Sequence, residues 1–369
     1  MAEVFCMIKE PNWLAEIRNK AQEEFLRLPF PQEREEEWRY SNIGKIKIDF
    51  KSGDSEVMID GDDEGIVFTD MISATRTHTD MVKKHLGKAL KINDKFSAFH
   101  YANIANGIFV FVPDNKTARL SSKITGGGHT IIITGKNSKL EYIEEYTGSG
   151  FMTDVVEIFV GENSKVSFAS VQNCDSDAII FSFKEAILDR NSIANFAFGS
   201  FGSAFHRVKS NTTLAGEGAS SETLCMFRGN KKQYTDFTVN SHHLVPHTNN
   251  NILSKGTVMD EASSIFRGLI RIEKGAQQTD SYLADHTLIL SETAKSDSIP
   301  SLQIEANDVK ASHGATVGQI DEEQLFYLMC RGLSREEAEQ IIVDGFFEPI
   351  IDKINDKIFQ EKFRTSVIR

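Results

Sequence analysis

Cysteine is scarce in this 369-residue chain, and the four present, Cys6, Cys174, Cys225 and Cys330, are widely scattered with no C-x-x-C pair. That spacing excludes a disulfide framework and a self-contained zinc or iron–sulfur site, both of which need thiols close together. Basic charge is also short. Lys and Arg number 41 against 53 Asp and Glu, a formal net charge of −12, which excludes general nucleic-acid binding, because phosphate backbones demand a basic surface. Long apolar runs are missing too. Ile108–Val112 and Thr130–Thr134 are strand-length, against the ~20 residues a membrane helix needs. The opening Met-Ala-Glu-Val-Phe has no basic region ahead of an apolar core, so no secretory leader is expected. There is no G-x-x-x-x-G-K-[ST] loop and no G-x-S-x-G elbow, which argues against ATP hydrolysis and serine-hydrolase chemistry by this chain. What remains, with 40% hydrophobic and 25% charged residues, reads as a folded, reduced, cytoplasmic protein that is not itself an enzyme.

The texture changes twice along the chain, giving expected divisions at 1–105, 106–318 and 319–369. In the first, Trp13, Leu14, Ile17, Ala21, Phe25 and Leu28 recur at three- and four-residue spacings, the apolar face of a helix that Pro29 and Pro31 stop. The acidic Glu35-Glu36-Glu37 before Trp38 and Tyr40 starts a new segment. Residues 45–105 read as a small mixed segment containing Lys83-Lys84-His85.

From 106 to 318 short runs of β-branched and aromatic residues dominate, punctuated by glycine, asparagine and serine. A turn recurs: Gly135-Lys136-Asn137-Ser138, Gly161-Glu162-Asn163-Ser164, Asp189-Arg190-Asn191-Ser192 and Gly216-Glu217-Gly218-Ala219. The Asn or Gly position repeats after 163 − 137 = 26, 191 − 163 = 28 and 218 − 191 = 27 residues. Both residue types tolerate the left-handed backbone of a sharp corner. A later pair, Asp260-Glu261-Ala262-Ser263 and Glu273-Lys274-Gly275-Ala276, has the same character but is out of phase. A period near 27 with strands on both sides of each corner points to a β-solenoid; a β-sandwich with evenly spaced hairpins is the competing reading.

After 318 the pattern is helical again. Asp321 can cap a helix that Gly332 ends. Ser334-Arg335-Glu336-Glu337 is a capping box for a second, which Gly345 is expected to close. A third is expected from about Pro349.

Chemistry-bearing clusters are few. Gly126-Gly127-Gly128 precedes no helix pattern and reads as a bend. His242, His243 and His247 form the one dense histidine group, but Pro246 breaks any helix that would pair His243 with His247, and the glutamate of H-E-x-x-H is missing. They read as turn histidines. His313, among the small residues of Lys310-Ala311-Ser312-His313-Gly314-Ala315-Thr316, lies where the last strand meets the helical end, and imidazole is a borderline ligand suited to iron. The bland alternative is a packed or solvated histidine. Asp62-Asp63-Glu64, a dense acidic group, precedes the repeats, and reads as a solvated turn rather than the paired carboxylates of a polysaccharide-acting β-helix enzyme.

Two stretches resemble one family. Leu28-Pro29-Phe30-Pro31 with Glu36-Glu37-Trp38-Arg39-Tyr40-Ser41-Asn42-Ile43 is similar to the N-terminal signature of the SufD branch of the SufB/SufD family of iron–sulfur cluster assembly scaffolds. Asp308 through Gln319, then Asp321 through Leu328 with Arg331-Gly332, resembles the family's C-terminal block in its SufD form, with Ser-His-Gly-Ala-Thr-Val-Gly in place of the Glu-His-Glu-Ala-Thr of SufB. Gln278-Thr279-Asp280-Ser281-Tyr282 and Pro300 through Glu305 are similar as well.

The resemblance implies a right-handed parallel β-helix core with helical N- and C-terminal segments, and a non-catalytic scaffold role in the SUF complex. It implies that Leu325, Phe326, Tyr327, Arg331, Gly332, Phe346, Phe347 and Pro349 form the dock for SufC, an ABC-type ATPase, and that the β-helix edge pairs with SufB. It implies that His313 ligates iron or a nascent cluster shared with SufB, with no tightly bound cofactor on the isolated chain. A homodimer through the same edge, working with SufC alone, is the alternative within the family. Two departures matter: Ala311 stands where many SufD proteins have cysteine, and Leu290-Ser291-Glu292-Thr293-Ala294 lacks the acceptor thiol usual in SufB. Thiolate ligands would have to come from elsewhere.

Overall fold

A computed structural model describes residues 11–41, 43–50, 55–61, 65–104, 106–354 and 356–368. Cys6 and the acidic group at 62–64 lie outside the described residues. The first helix, α1 (Asn12–Arg27), ends one residue before Leu28-Pro29, as the sequence predicts, burying Leu14 and Ala21. β1 (Glu56–Asp60), β2 (Val67–Asp70), α2 (Met71–Thr77), α3 (Thr79–His85) and α4 (Lys95–Ala102) follow. Asp94 caps α4 in a reciprocal box with Ser97. Lys83, Lys84 and His85 fall in the last turn of α3, where the helix dipole favours cations.

Sixteen further strands wind the core. They are β3 (Ile108–Val112), β4 (Thr117–Thr125), β5 (Gly128–Thr134), β6 (Lys139–Thr147), β7 (Phe151–Val160), β8 (Lys165–Gln172), β9 (Ile179–Leu188) and β10 (Ile193–Ser200). The winding continues through β11 (Phe205–Leu214), β12 (Ser220–Gly229), β13 (Tyr234–His243), β14 (Asn249–Val258), β15 (Ser263–Ile272), β16 (Asp280–Ile289), β17 (Lys295–Ile304) and β18 (Lys310–Gln319). Sheet A runs β1-β4-β6-β8-β10-β12-β14-β16-β18, and sheet B runs β2-β3-β5-β7-β9-β11-β13-β15-β17. Within β3–β18 every pairing is parallel, whereas β1 on β4 and β2 on β3 are antiparallel. The chain is a parallel β-solenoid, not a sandwich.

The recurring turn is one row of corners. Asn115, Asn137, Asn163, Asn191 and Gly218 all have φ between 53° and 77°, and the row continues through His247 (59°) and Gln278 (57°). Asn137 donates to Asn115 and Asn191 to Asn163, at 3.2 and 3.1 Å, so the corner side chains stack as a ladder. The coil lengthens along the axis, from 22 residues (137 − 115) to 31 (278 − 247). This growth explains why the later turns fall out of phase. Asp260, moreover, belongs to the opposite corner row with Lys231.

Side chains alternate between the lumen and the outer faces, as the strand period demands. The lumen holds one long apolar core, from Ile108 through Phe168, Phe198, Phe227 and Phe237 to Leu283. The outer face of sheet B is covered by the N-terminal segment. Phe96 stacks on Phe181 at 3.7 Å between ring centroids, and Trp38, Phe205 and Tyr234 join the same cluster.

The outer face of sheet A is covered by α5 (Glu322–Met329), α6 (Arg335–Ile351) and α7 (Lys357–Ile368). Phe347, Ile350, Ile351, Phe359 and Phe363 pack on Ile143, Val171, Leu224 and Met226. Two expectations need correcting. Gly345 does not close the second helix, and Pro349 starts no third: α6 runs through both, and α7 begins at Lys357. Proline costs an internal helix about 3 kcal/mol. Burying Phe347, Ile350 and Ile351 on the sheet offsets that, at roughly 1.5–3 kcal/mol per large side chain.

Candidate functional site

The solenoid has one covered end and one open end, and His313 sits at the open one. Among the described residues no strand pairs beyond β17 or β18. Their residues are largely exposed, including Ile299, Leu302, Ile304 and Val317. An unpaired edge with apolar side chains is a template for another strand. His313 lies in register above Leu283, whose side chain is fully buried in the lumen. Parallel register keeps the facing, so His313 stands over the mouth of the lumen, exposed because no coil covers it. Tyr282, beneath Ser312 on the outer face, is also exposed. Among the described residues no three His, Cys, Asp or Glu side chains converge as a metal site.

The residues expected at the helical dock divide by burial. On α5, Phe326 and Tyr327 are 68% and 58% exposed, whereas Leu325 is fully buried against Ile320 and Ala338. Arg331 donates to the Tyr327 hydroxyl at 2.9 Å and lies over its ring, just before Gly332 turns the chain at φ 96°. On α6, Phe347 is fully buried, Phe346 is half-buried under the Lys255 ammonium, and Pro349 is exposed. Phe326 and Tyr327 are thus exposed on α5 with Arg331 against the Tyr327 ring, and Met329 and Ile341 are exposed as well. Leu325 and Phe347 seat the helices.

The N-terminal signature is an anchor. Trp38 is buried with the Arg207 guanidinium 3.9 Å over its ring, and Glu37 accepts from Arg207 and Lys209 at 3.2 and 2.8 Å. Asp236 accepts from Arg207 and Arg267, and Tyr234 donates to the carbonyl of Tyr40. The histidine group is structural as well: His242 pairs with Glu273, His243 with Thr248, and His247 turns a corner. Cys174 and Cys225 are buried, and burial pushes the Cys174 thiol up to about 12, so neither is a ready nucleophile.

Sequence reasoning missed the polar lumen. In its earlier coils Lys184 bridges Asp154 and Glu144 at 2.5 and 3.3 Å, all fully buried, beside a cavity of about 20 Å³ with room for one water. Burial pushes Glu144 up to about 7 despite Lys184. In the last coils Asp285 is equally buried but has no such cation. The signal was available in principle: Ser281, Asp285 and Thr287 share a strand face with Leu283, polar residues where a lumen is expected.

Residues 119–346 match the family described as SUF system FeS cluster assembly, SufBD core domain. The iron–sulfur cluster assembly protein SufD of Bacillus subtilis is 29% identical, over 94% of this chain and 91% of its own length. A SufBD family protein of Staphylococcus saprophyticus is 28% identical, over 95% and 88%. With the core-domain match spanning more than half of the residues, laid over the same coils that carry His313 to the open end, this chain belongs to the SufB/SufD family of iron–sulfur cluster assembly proteins.

Proposed function

We propose that the chain is a non-catalytic scaffold subunit that takes SufB on its open solenoid end and SufC on its C-terminal helices. The observation that carries this reading is the uncovered terminal coil, whose β17 and β18 expose both strand edges and the apolar Ile299, Leu302, Ile304 and Val317. A second β-helix offering equivalent edges would extend both sheets and bury these side chains. His313 would then be enclosed at the shared seam, where a partner's thiolate can complete the coordination of iron or a nascent cluster that this chain alone cannot hold. Iron and cluster are cargo here, and no resident cofactor is assigned.

The ATPase dock is assigned to Phe326, Tyr327 and Arg331, because large exposed aromatics beside an arginine are what binding hot spots use. Leu325, Phe346, Phe347, Gly332 and Pro349 shape that surface and set α5 and α6 upon sheet A. No described helix is long and apolar enough to cross a membrane.

Co-purification from cells tests the reading. The parent chain should bring down an ABC-type ATPase and a second SufB/SufD-type subunit. Leu302→Asp should lose the second subunit and keep the ATPase, and Phe326→Ala the reverse. Recovery of a homodimer without a second subunit would favour self-pairing through the same edge. His313→Ala should assemble normally yet impair cluster maturation; full maturation in that variant would remove His313 from the chemistry.

A further inference from the structure

The lumen beneath the open end contains a buried carboxylate without a counter-charge. Asp285 on β16 is 0% exposed, and neither of its oxygens has a hydrogen-bond partner. Its neighbours are hydroxyls. Ser254 lies directly below it in register on β14, and Ser298 reaches towards it from β17 across the lumen. Both hydroxyls favour the charged carboxylate, but neither is set for a well-formed hydrogen bond to it, and their own oxygens are buried without other partners. Thr287, two residues on along the same inward face, is in the same condition.

Several buried acids of this fold take cations, although Glu185 takes only the Asn211 amide. Asp154 and Glu144 share Lys184 in the lumen, and Asp236 takes two arginines outside it. A desolvated, unpaired carboxylate is costly, so such a group is protonated, hydrated or bound to a cation. Burial pushes Asp285 up, and the two serine hydroxyls hold the rise to about 6.

We propose that the last coil holds a divalent metal cation on the Asp285 carboxylate, with the hydroxyls of Ser254 and Ser298 and water completing an all-oxygen shell. One or two carboxylates with several retained waters is how small hard cations are commonly held. Entry is through the open end. The residue in register above Asp285 is Ala315 on the terminal strand, small and exposed, and Ser298 is only half-buried. His313 is one strand up and two residues along, about 8 Å away by strand spacing and rise. The cation site lies inside the mouth that His313 overlooks, and it does not depend on any role for that histidine.

The test uses the purified full chain and Mn²⁺ alone, read by its electron paramagnetic resonance signal on titration. Saturable binding of about one Mn²⁺ is expected, at least tenfold weaker in Asp285→Asn, several-fold weaker in Ser298→Ala and little changed in His313→Ala. The melting temperature of the parent should rise with Mn²⁺, and that rise should vanish in Asp285→Asn. If Asp285→Asn fails to fold, Ser298→Ala carries the comparison. No saturable binding by the parent, or equal binding by parent, Asp285→Asn and Ser298→Ala, overturns the site. Loss of binding only in His313→Ala overturns it too, and moves the cation outward to the histidine.

Discussion

The two ends of the solenoid are built from the same parallel coils but finished in opposite ways. At the first coil, antiparallel β1 and β2 take up the edges of β4 and β3. The neighbouring coils of sheet B lie under α1, Trp38 and α4. At the last, β17 and β18 present bare edges, exposed apolar side chains and a polar lumen. An antiparallel strand cannot continue a parallel winding, so it terminates the stack. A parallel end coil with open edges invites continuation. The difference teaches that reversing a strand seals a parallel winding, and that without such a reversal the edges of the last coil stay free among the described residues.

The largest expected effect lies at the covered side. Phe181→Ala removes a ring stacked on Phe96 within the cluster that seats the N-terminal segment, and should cost about 3–5 kcal/mol in denaturant unfolding. Loss under 1 kcal/mol would mean that the N-terminal segment adds little to the solenoid.

Next comes Asp285→Asn in chelated buffer. Burial raises the Asp285 pKa from 3.8 to about 6 in the folded state, so the folded chain binds its proton more tightly than the unfolded chain. The parent therefore loses stability from this group as pH rises from about 4 to 6. Below that window parent and variant should match. Above it the variant should be more stable by about 2–3 kcal/mol, by the conversion of a pKa shift to free energy. A difference that does not grow with pH would show that the carboxylate finds a partner in solution.

Smaller still, Leu302→Asp should change the stability of the isolated chain by less than about 0.5 kcal/mol, as exposed sites do. If it destabilises as much as Phe181→Ala, the end is not open. Phe326→Ala should have the least effect on melting, since its ring is 68% exposed. A substantial loss of stability there would turn the assigned dock into part of the packing.

Much of this was legible in the sequence because it follows from local periodicity. The corner residues Asn137, Asn163, Asn191 and Gly218 all have the left-handed backbone that their residue types suggested. The caps Asp321 and Ser334 donate no surprises either: their side chains accept the first amides of α5 and α6. The end of α6 was misread because Gly345 and Pro349 are local stop signals, overridden by burial of Phe347 and Ile351 on a sheet more than a hundred residues away in sequence. The site was half visible. His313 could be singled out by its neighbours, but not its place over the lumen.

Turn chemistry and helix periodicity thus determined on their own the corners, a strand-rich middle and helical ends, with a β-solenoid favoured over a β-sandwich, since each is a property of residues close in sequence. Which end is sealed, which side of Leu325-Phe326-Tyr327 faces outward, and that Asp285 meets Ser254 and Ser298 rather than a lysine, only the tertiary structure decided. Those facts depend on coils about 30 residues apart coming into register, and on helices folding back over one face. The corner period gives the spacing of the coils, but not which side chains of two coils meet.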